Sequence, residues 1–159
     1  DVVGLTSSKN AAFTSGLGEY DSVITYDEVS AITNVPTIVV DMTGNPSIVG
    51  DVHRALAGSV KHSCSVGATH WDAQRAGAAI PPPKPEFFFA PSQLAKRGKE
   101  FGRDELNLRI NEALGVFIES STRWMTIRHT VGASAIRELY DDLVAGRVEP
   151  SVGNIVAAD

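Results

Sequence analysis

The run Thr37-Ile38-Val39-Val40-Asp41-Met42 is the stretch that decides the fold. Its three consecutive apolar, β-branched residues are typical of a strand covered on both faces inside a parallel sheet. Asn45 and Pro46 follow as a helix cap and a first helical residue, and Gly58 ends the helix that they begin. Residues 60–66 predict the next strand, so the order strand, helix, strand indicates a βαβ unit.

The same alternation extends to both sides of this unit. Strands are predicted at residues 2–6 and 22–26, with a short helix at 10–15 between them that Gly16 ends. On the other side the pattern predicts a buried strand at 87–90, a helix that Pro91 opens, helices around 106–117 and 134–145, and a last strand at 152–157. In the helix at 134–145, the apolar residues form one stripe, which indicates a core-facing side. We therefore expect an α/β fold around a parallel sheet.

Composition excludes several classes of protein. The chain has 159 residues, and 14 Lys and Arg against 19 Asp and Glu give a net charge of −5. This charge argues against binding DNA or RNA, and no apolar run approaches the ~20 residues of a membrane span. Residues 1–4 lack the layout of a signal peptide. The single cysteine, Cys64, suits a reducing compartment, so we expect a cytoplasmic protein of one domain without a membrane partner.

Residues 68–86 interrupt the alternation with Gly77, Pro81-Pro82-Pro83 and Pro85. The prolines indicate a stiff, irregular loop that could lie over a cleft. His70-Trp71-Asp72 in this loop could border a substrate pocket, or Trp71 could anchor the loop. The four histidines share no metal-ligand spacing with each other or with Cys64, so no metal site is predicted.

Polar residues follow the first predicted strand. In open parallel sheets, ligands bind at the carboxyl ends of the strands, which is where these residues lie. In sheets that bind NAD, a carboxylate near such a strand end holds the ribose 2′-hydroxyl. Here Thr6, Ser7, Ser8 and Lys9 offer hydroxyls and a cation instead, which could bind a 2′-phosphate through charge-assisted hydrogen bonds. The alternative is a solvated turn capped by serines.

Three more strand ends carry small or polar residues. Tyr26 ends one strand, although it could equally be a half-buried aromatic residue of that strand. Asp41 and Gly44 could form a tight turn before the capped helix, and their segment also resembles the glycine turn of methyltransferases. Gly67, after Val66, lets backbone approach a flat ring closely, or it is an ordinary turn glycine.

Four segments in order carry a resemblance to a known family. They are Val2-Val3-Gly4-Leu5-Thr6-Ser7-Ser8-Lys9, Gly16-Leu17-Gly18, Val23-Ile24-Thr25-Tyr26-Asp27-Glu28 and Phe87-Phe88-Phe89-Ala90-Pro91-Ser92. The sequence resembles the quinone-reductase-like branch of the medium-chain dehydrogenase/reductase superfamily, over nearly all of its length. The resemblance implies a Rossmann-like, doubly wound parallel sheet that binds NADP(H).

The resemblance also implies roles for individual residues. Lys9 and Tyr26, with Ser7 or Ser8 beside them, would hold the 2′-phosphate of NADP(H). The strand end at Asp41 would lie beside the adenine and pyrophosphate. Segments 66–67 and 88–90 would border the nicotinamide. The predicted cofactor-binding residues are Thr6, Ser7, Ser8, Lys9, Tyr26, Asp41, Gly44, Val66, Gly67, Phe89 and Ala90. No catalytic residue or proton donor is assigned.

The sequence departs from the superfamily at one place that matters. The chains of the superfamily are much longer, and their glycine-rich pyrophosphate turn precedes the strand that residues 2–6 match. We therefore expect residues 1–159 to be a partial Rossmann-like domain that lacks the first βα unit and needs a missing N-terminal region or a partner chain. A homodimer through sheet edges is a further possibility.

These expectations lead to one function and two alternatives. The function is part of an NADP(H)-dependent oxidoreductase that transfers hydride to or from a small carbonyl, enone or quinone substrate, with this chain alone inactive. The first alternative is a non-catalytic nucleotide-binding or interaction module. The second is a different Rossmann-like enzyme, such as a methyltransferase.

Overall fold

The computed structural model describes residues 1–68 and 79–158, and these alternate between strands and helices. In chain order the elements are β1 (Val3–Thr6), α1 (Ala11–Gly16), β2 (Ser22–Thr25), β3 (Thr37–Asp41), α2 (Pro46–Ala55), β4 (Val60–Ser65), β5 (Glu86–Phe87), α3 (Ala90–Phe101), α4 (Arg103–Ser121), β6 (Thr126–Val131), α5 (Ala133–Val144) and β7 (Val152–Ala157). Short 3-10 segments at Ser8–Asn10 and Tyr26–Ala31 follow β1 and β2.

Every strand pair in the described part of the chain is parallel. The strands form three sheets, in the orders β1-β2, β3-β4-β5 and β6-β7. The predicted α/β class with parallel strands is therefore confirmed, while the expected single sheet is divided among three smaller ones. Parallel pairing requires a crossover between partners, and α1, α2 and α5 supply it for β1-β2, β3-β4 and β6-β7.

Helix α2 forms the core of the molecule with the strands next to it. Its start is the predicted one, because Asn45 caps it by accepting a hydrogen bond from the Ser47 amide at 3.0 Å. The buried cluster consists of Val29, Val52, Leu56 and Val60. Leu5 of β1 and Val39 of β3 both pack against this cluster. The first two sheets therefore border one shared core.

A buried histidine of α2 fastens the proline-rich segment to this core. His53 is 1% exposed, and its Nδ1 lies 2.7 Å from the Pro81 carbonyl oxygen. Because a carbonyl only accepts hydrogen bonds, Nδ1 is the donor to Pro81, and Nε2 lies 3.0 Å from the Ser63 hydroxyl oxygen. Of the predicted loop at 68–86, residues 69–78, with the His70-Trp71-Asp72 cluster, lie outside the described residues.

Two expectations about the second half of the chain were wrong or incomplete, and one strand was missed. Phe87–Ala90 is not a buried strand, because β5 ends at Phe87, α3 begins at Ala90, and Phe87 and Phe89 are exposed. Helix α5 forms as predicted, but Tyr140 and Leu143 of its apolar stripe face solvent among the described residues. Strand β6 was not predicted.

None of the helices in the described ranges is long and apolar enough to cross a membrane.

The core assignment predicts that one leucine matters far more than another. Replacing Leu56, which is 1% exposed, with alanine removes packing from the shared core and should lower the free energy of unfolding by about 2–5 kcal/mol. Leu94→Ala, at a position half exposed on α3, is the matched control and should cost less than about 1 kcal/mol. Urea denaturation measures both values, and equal losses would contradict the assignment.

Candidate functional site

The first part of the candidate site lies where β1 and β2 end together. The parallel register pairs Thr6 with Thr25, so Ser7 and Tyr26 are the next residues beyond neighbouring strand ends. After Ser7 the chain turns through a 3-10 segment that the Asn10 amide closes by donating to the Ser7 carbonyl at 2.9 Å. The structure therefore brings the backbone of segment 6–9 next to that of Tyr26, as the sequence predicts.

Lys9 presents an exposed ammonium group at this strand end. Its Nζ lies 4.0 Å from Oε1 of Glu149, and both side chains are more than half exposed. Such a pair contributes little to stability because water screens both charges. The ammonium is therefore accessible to an anionic ligand, with the Glu149 carboxylate as its competitor.

Tyr26 is half-buried and remains protonated. Burial raises the pKa of its phenol, and the neighbouring Asp41 carboxylate raises the pKa further. The hydroxyl consequently acts as a neutral hydrogen-bond donor throughout the physiological pH range. Because Tyr26 follows β2 and Asp41 ends β3, this effect indicates that strand ends of the first two sheets lie near each other.

Asp41 organises the end of β3. Its buried carboxylate accepts three hydrogen bonds at Oδ1, from the Thr43 amide and hydroxyl at 2.8 Å each and from the Gly44 amide at 3.1 Å. Its backbone carbonyl accepts from the Val66 amide at 2.8 Å and the Gly67 amide at 3.2 Å. One residue thus shapes the turn after β3 and holds the loop after β4 against it.

The two glycines of these loops are required by their close packing. A side chain at Gly44, where φ is +67°, would place its Cβ 2.8 Å from the Ala68 Cα. At Gly67 a Cβ would come within 2.7 Å of the Met42 carbonyl oxygen. Both distances are shorter than real Cβ contacts, so the loops can approach only because neither position has a side chain. This packing accounts for both glycines without a ligand.

The aromatic segment after β5 lies beside the same edge. The Phe88 amide donates to the Ser65 carbonyl at 2.9 Å, which fixes the segment at the end of β4. The rings of Phe87 and Phe89 stack with their centroids 6.5 Å apart and stay exposed. Phe88 therefore lies beside the end of β4, and Phe89 and Ala90 follow it as a loop residue and the first residue of α3.

A further pair at the β2 end was missed by the sequence reasoning. Glu28 accepts hydrogen bonds from both the amide and the hydroxyl of Thr25, each at 2.9 Å, and forms a capping box at the start of the 3-10 segment. These two bonds lower the pKa of the Glu28 carboxyl. The pattern Thr-x-x-Glu after a strand was the signal that could have found it. The box fixes the backbone from which Tyr26 projects.

Sequence reasoning also missed a cavity of about 440 Å³ beside Tyr26. It lies between the 3-10 segment and α2, and the Arg54 guanidinium within it is bound to Asp51 at 2.5 Å. The cavity is lined by Tyr26, Asp27, Val29, Ser30, Asp51, Arg54 and Ala55. Its mixed charges suit a polar, uncharged group such as a sugar or a heterocycle more than an apolar one.

With this geometry in view, comparison with known proteins adds the family. Residues 1–149 match the family described as a protein of unknown function (DUF2855). The chain belongs to this family. No curated protein and no solved structure matches it. The DUF2855 match covers β1–β6 and α1–α5, so all the strand ends described above fall within it.

The capping box makes stability depend on pH in a defined direction. Because folding lowers the pKa of Glu28, the contribution of its carboxylate is present above the ordinary glutamate pKa and is lost as the pH falls through the lowered one. Glu28→Gln should therefore make the stability of the protein depend less on pH in this acidic range.

The measurement is the midpoint of urea unfolding as a function of pH, with Glu112→Gln, an exposed residue of α4, as the control. In addition, Thr25→Val removes the hydroxyl donor and should raise the pKa of Glu28 part of the way to its ordinary value in an NMR titration. A carboxyl that titrates identically in wild type and Thr25→Val would contradict the capping box.

Proposed function

We propose that the chain is the NADP(H)-binding part of an oxidoreductase, and that the ends of β1 and β2 hold the 2′-phosphate of the cofactor. The observation that carries this proposal is the register that sets Thr6 opposite Thr25. Because of it, the hydroxyls of Ser7 and Ser8, the Lys9 ammonium and the neutral Tyr26 phenol continue from adjoining strand ends. Donors of this kind suit a phosphate dianion, and a carboxylate in their place would suit a ribose hydroxyl.

The proposal includes the finer architecture. The sheets β1-β2 and β3-β4-β5 would be two parts of one Rossmann-like, doubly wound sheet, with a further parallel strand between β1 and β3. Support comes from the uniformly parallel ladders and from the packing of Leu5 and Val39 on one core. In the described part of the chain, β1 and β3 each pair on one side only. A strand from a preceding region or a partner chain would pair with both free edges.

The remaining groups of the cofactor fit the described residues unequally. Asp41 ends β3 and Gly44 lies in the turn after it, while Val66 and Gly67 follow β4 and Phe89 follows β5. This order suits a dinucleotide that extends across successive strand ends. The sequence has no glycine-rich G-x-G-x-x-G turn, so the proposal assigns the pyrophosphate to the segment that supplies the additional strand. When bound, the nicotinamide would supply the hydride chemistry.

The cofactor assignment predicts a selective loss at Lys9. Lys9→Ala should weaken NADPH binding roughly tenfold and leave NADH binding unchanged, because only NADPH carries the 2′-phosphate. Isothermal titration calorimetry of the protein with each cofactor measures this. Lys99→Ala, at an exposed position on α3, removes the same charge elsewhere and should change neither affinity.

Other outcomes distinguish the alternatives. Equal binding of NADPH and NADH that Lys9→Ala leaves unchanged would contradict the 2′-phosphate site. A preference for NADPH that depends on Lys9, without oxidation of NADPH by any carbonyl, enone or quinone tested, would favour a non-catalytic nucleotide-binding module.

Glu149, which competes with a phosphate for the Lys9 ammonium, gives a test in which the affinity should rise. Glu149→Gln removes the carboxylate that lies 4.0 Å from the Lys9 ammonium, so NADPH should bind about two- to threefold more tightly at low salt. The gain should fade at high salt, because the charges are exposed. NADH is the ligand control and Glu138→Gln the matched variant. An equal gain in affinity for NADPH and NADH would mean that Lys9 does not bind the 2′-phosphate.

A further inference from the structure

A second cavity, of about 400 Å³, lies between the end of α1 and the C-terminal half of α4, away from the strand ends. Its walls are apolar and aromatic, with contributions from Tyr20, Phe117 and Trp124. Glu19 is the one charged residue among the described residues that line it. The volume falls in the range of ligand pockets, which is roughly 300–1,000 Å³.

The aromatic rings are held in place by their own contacts. Trp124 meets Phe13 edge to face with centroids 5.7 Å apart, and it meets Phe117 in the same way at 6.5 Å. Tyr20 packs on β1 so closely that a Cβ at Gly4 would lie 3.0 Å from its ring carbons. The rings of Tyr20, Phe117 and Trp124 thus line one cavity, and each has a packing partner in the described structure.

The carboxylate is positioned as well. Oε1 of Glu19 accepts a hydrogen bond from the Ser120 hydroxyl at 2.7 Å, which joins α4 to the segment after α1. The Ser120 hydroxyl in turn accepts from the Arg123 guanidinium at 3.1 Å. Arg123 does not line the cavity, but its charge opposes that of Glu19 and limits the strength of any cation site.

Charge and ring chemistry together select the class of ligand. The faces of aromatic rings attract cations, and a nearby carboxylate strengthens this attraction while it repels anions. Apolar walls disfavour a strongly hydrated ammonium ion, whereas alkyl groups on the nitrogen spread the charge and give the walls apolar surface to contact. We propose that this cavity binds an alkylated or quaternary ammonium group. The proposal does not depend on the nucleotide site.

Choline and 3,3-dimethylbutan-1-ol test this directly, because they share one shape and differ in charge. Calorimetric titration of the protein should give choline at least about fivefold tighter binding than the neutral alcohol. Glu19→Gln should abolish most of this difference by weakening choline alone. Glu112→Gln, on α4 but not among the residues that line the cavity, should leave both affinities unchanged.

A second variant separates ring chemistry from apolar contact. Trp124→Leu keeps an apolar wall and should weaken choline more than the alcohol, with circular dichroism confirming that the variant is folded. Equal affinity for the two ligands, no binding of choline at millimolar concentration, or a choline affinity that Glu19→Gln does not change would each overturn the proposal.

Discussion

The candidate site depends on the hydrogen bonds of Asp41, which hold the loops after β3 and β4 in place. A buried carboxylate is costly unless it is hydrogen-bonded, and Oδ1 here accepts from three donors, the amide and hydroxyl of Thr43 and the amide of Gly44. The backbone carbonyl of the same residue holds the loop after β4. Its charge also adds to the effect of burial in raising the pKa of the Tyr26 phenol beyond β2. The ends of three strands from two sheets therefore lie around one residue.

The division of the strands into separate sheets explains the distribution of exposed apolar surface. One face of β3 packs on the core through Val39, while Ile38 and Val40 on the other face are 66% and 56% exposed. A strand buried on both faces is the rule in doubly wound folds. The sequence of β3 fits that rule, and the uncovered face is the surface that an additional strand and its helix would bury under the proposed architecture.

Local features of the sequence were sufficient to predict most elements. Apolar and β-branched runs predicted β1, β2, β3 and β7, alternation predicted β4, and the Asn45-Pro46 cap predicted the start of α2. The three consecutive phenylalanines led to the wrong prediction of a buried strand, because hydrophobicity alone does not show whether another element covers these side chains. In β6 the adjacent polar residues Arg128 and His129 interrupt both the apolar run and the alternation that indicate a strand. The strand ends of the site were predictable from order, but the Lys9–Glu149 pair and the cavity at Tyr26 depend on tertiary packing.

The central claim is that the ends of β1 and β2 hold a phosphate on the ribose, and phosphorus NMR of bound NADP⁺ tests it most directly. A free phosphate monoester takes up its second proton at a pH of about 6. In the complex, the Lys9 ammonium and the hydroxyl donors should keep the 2′-phosphate resonance at its dianion position well below that pH. A resonance that titrates as in free NADP⁺ would contradict the account.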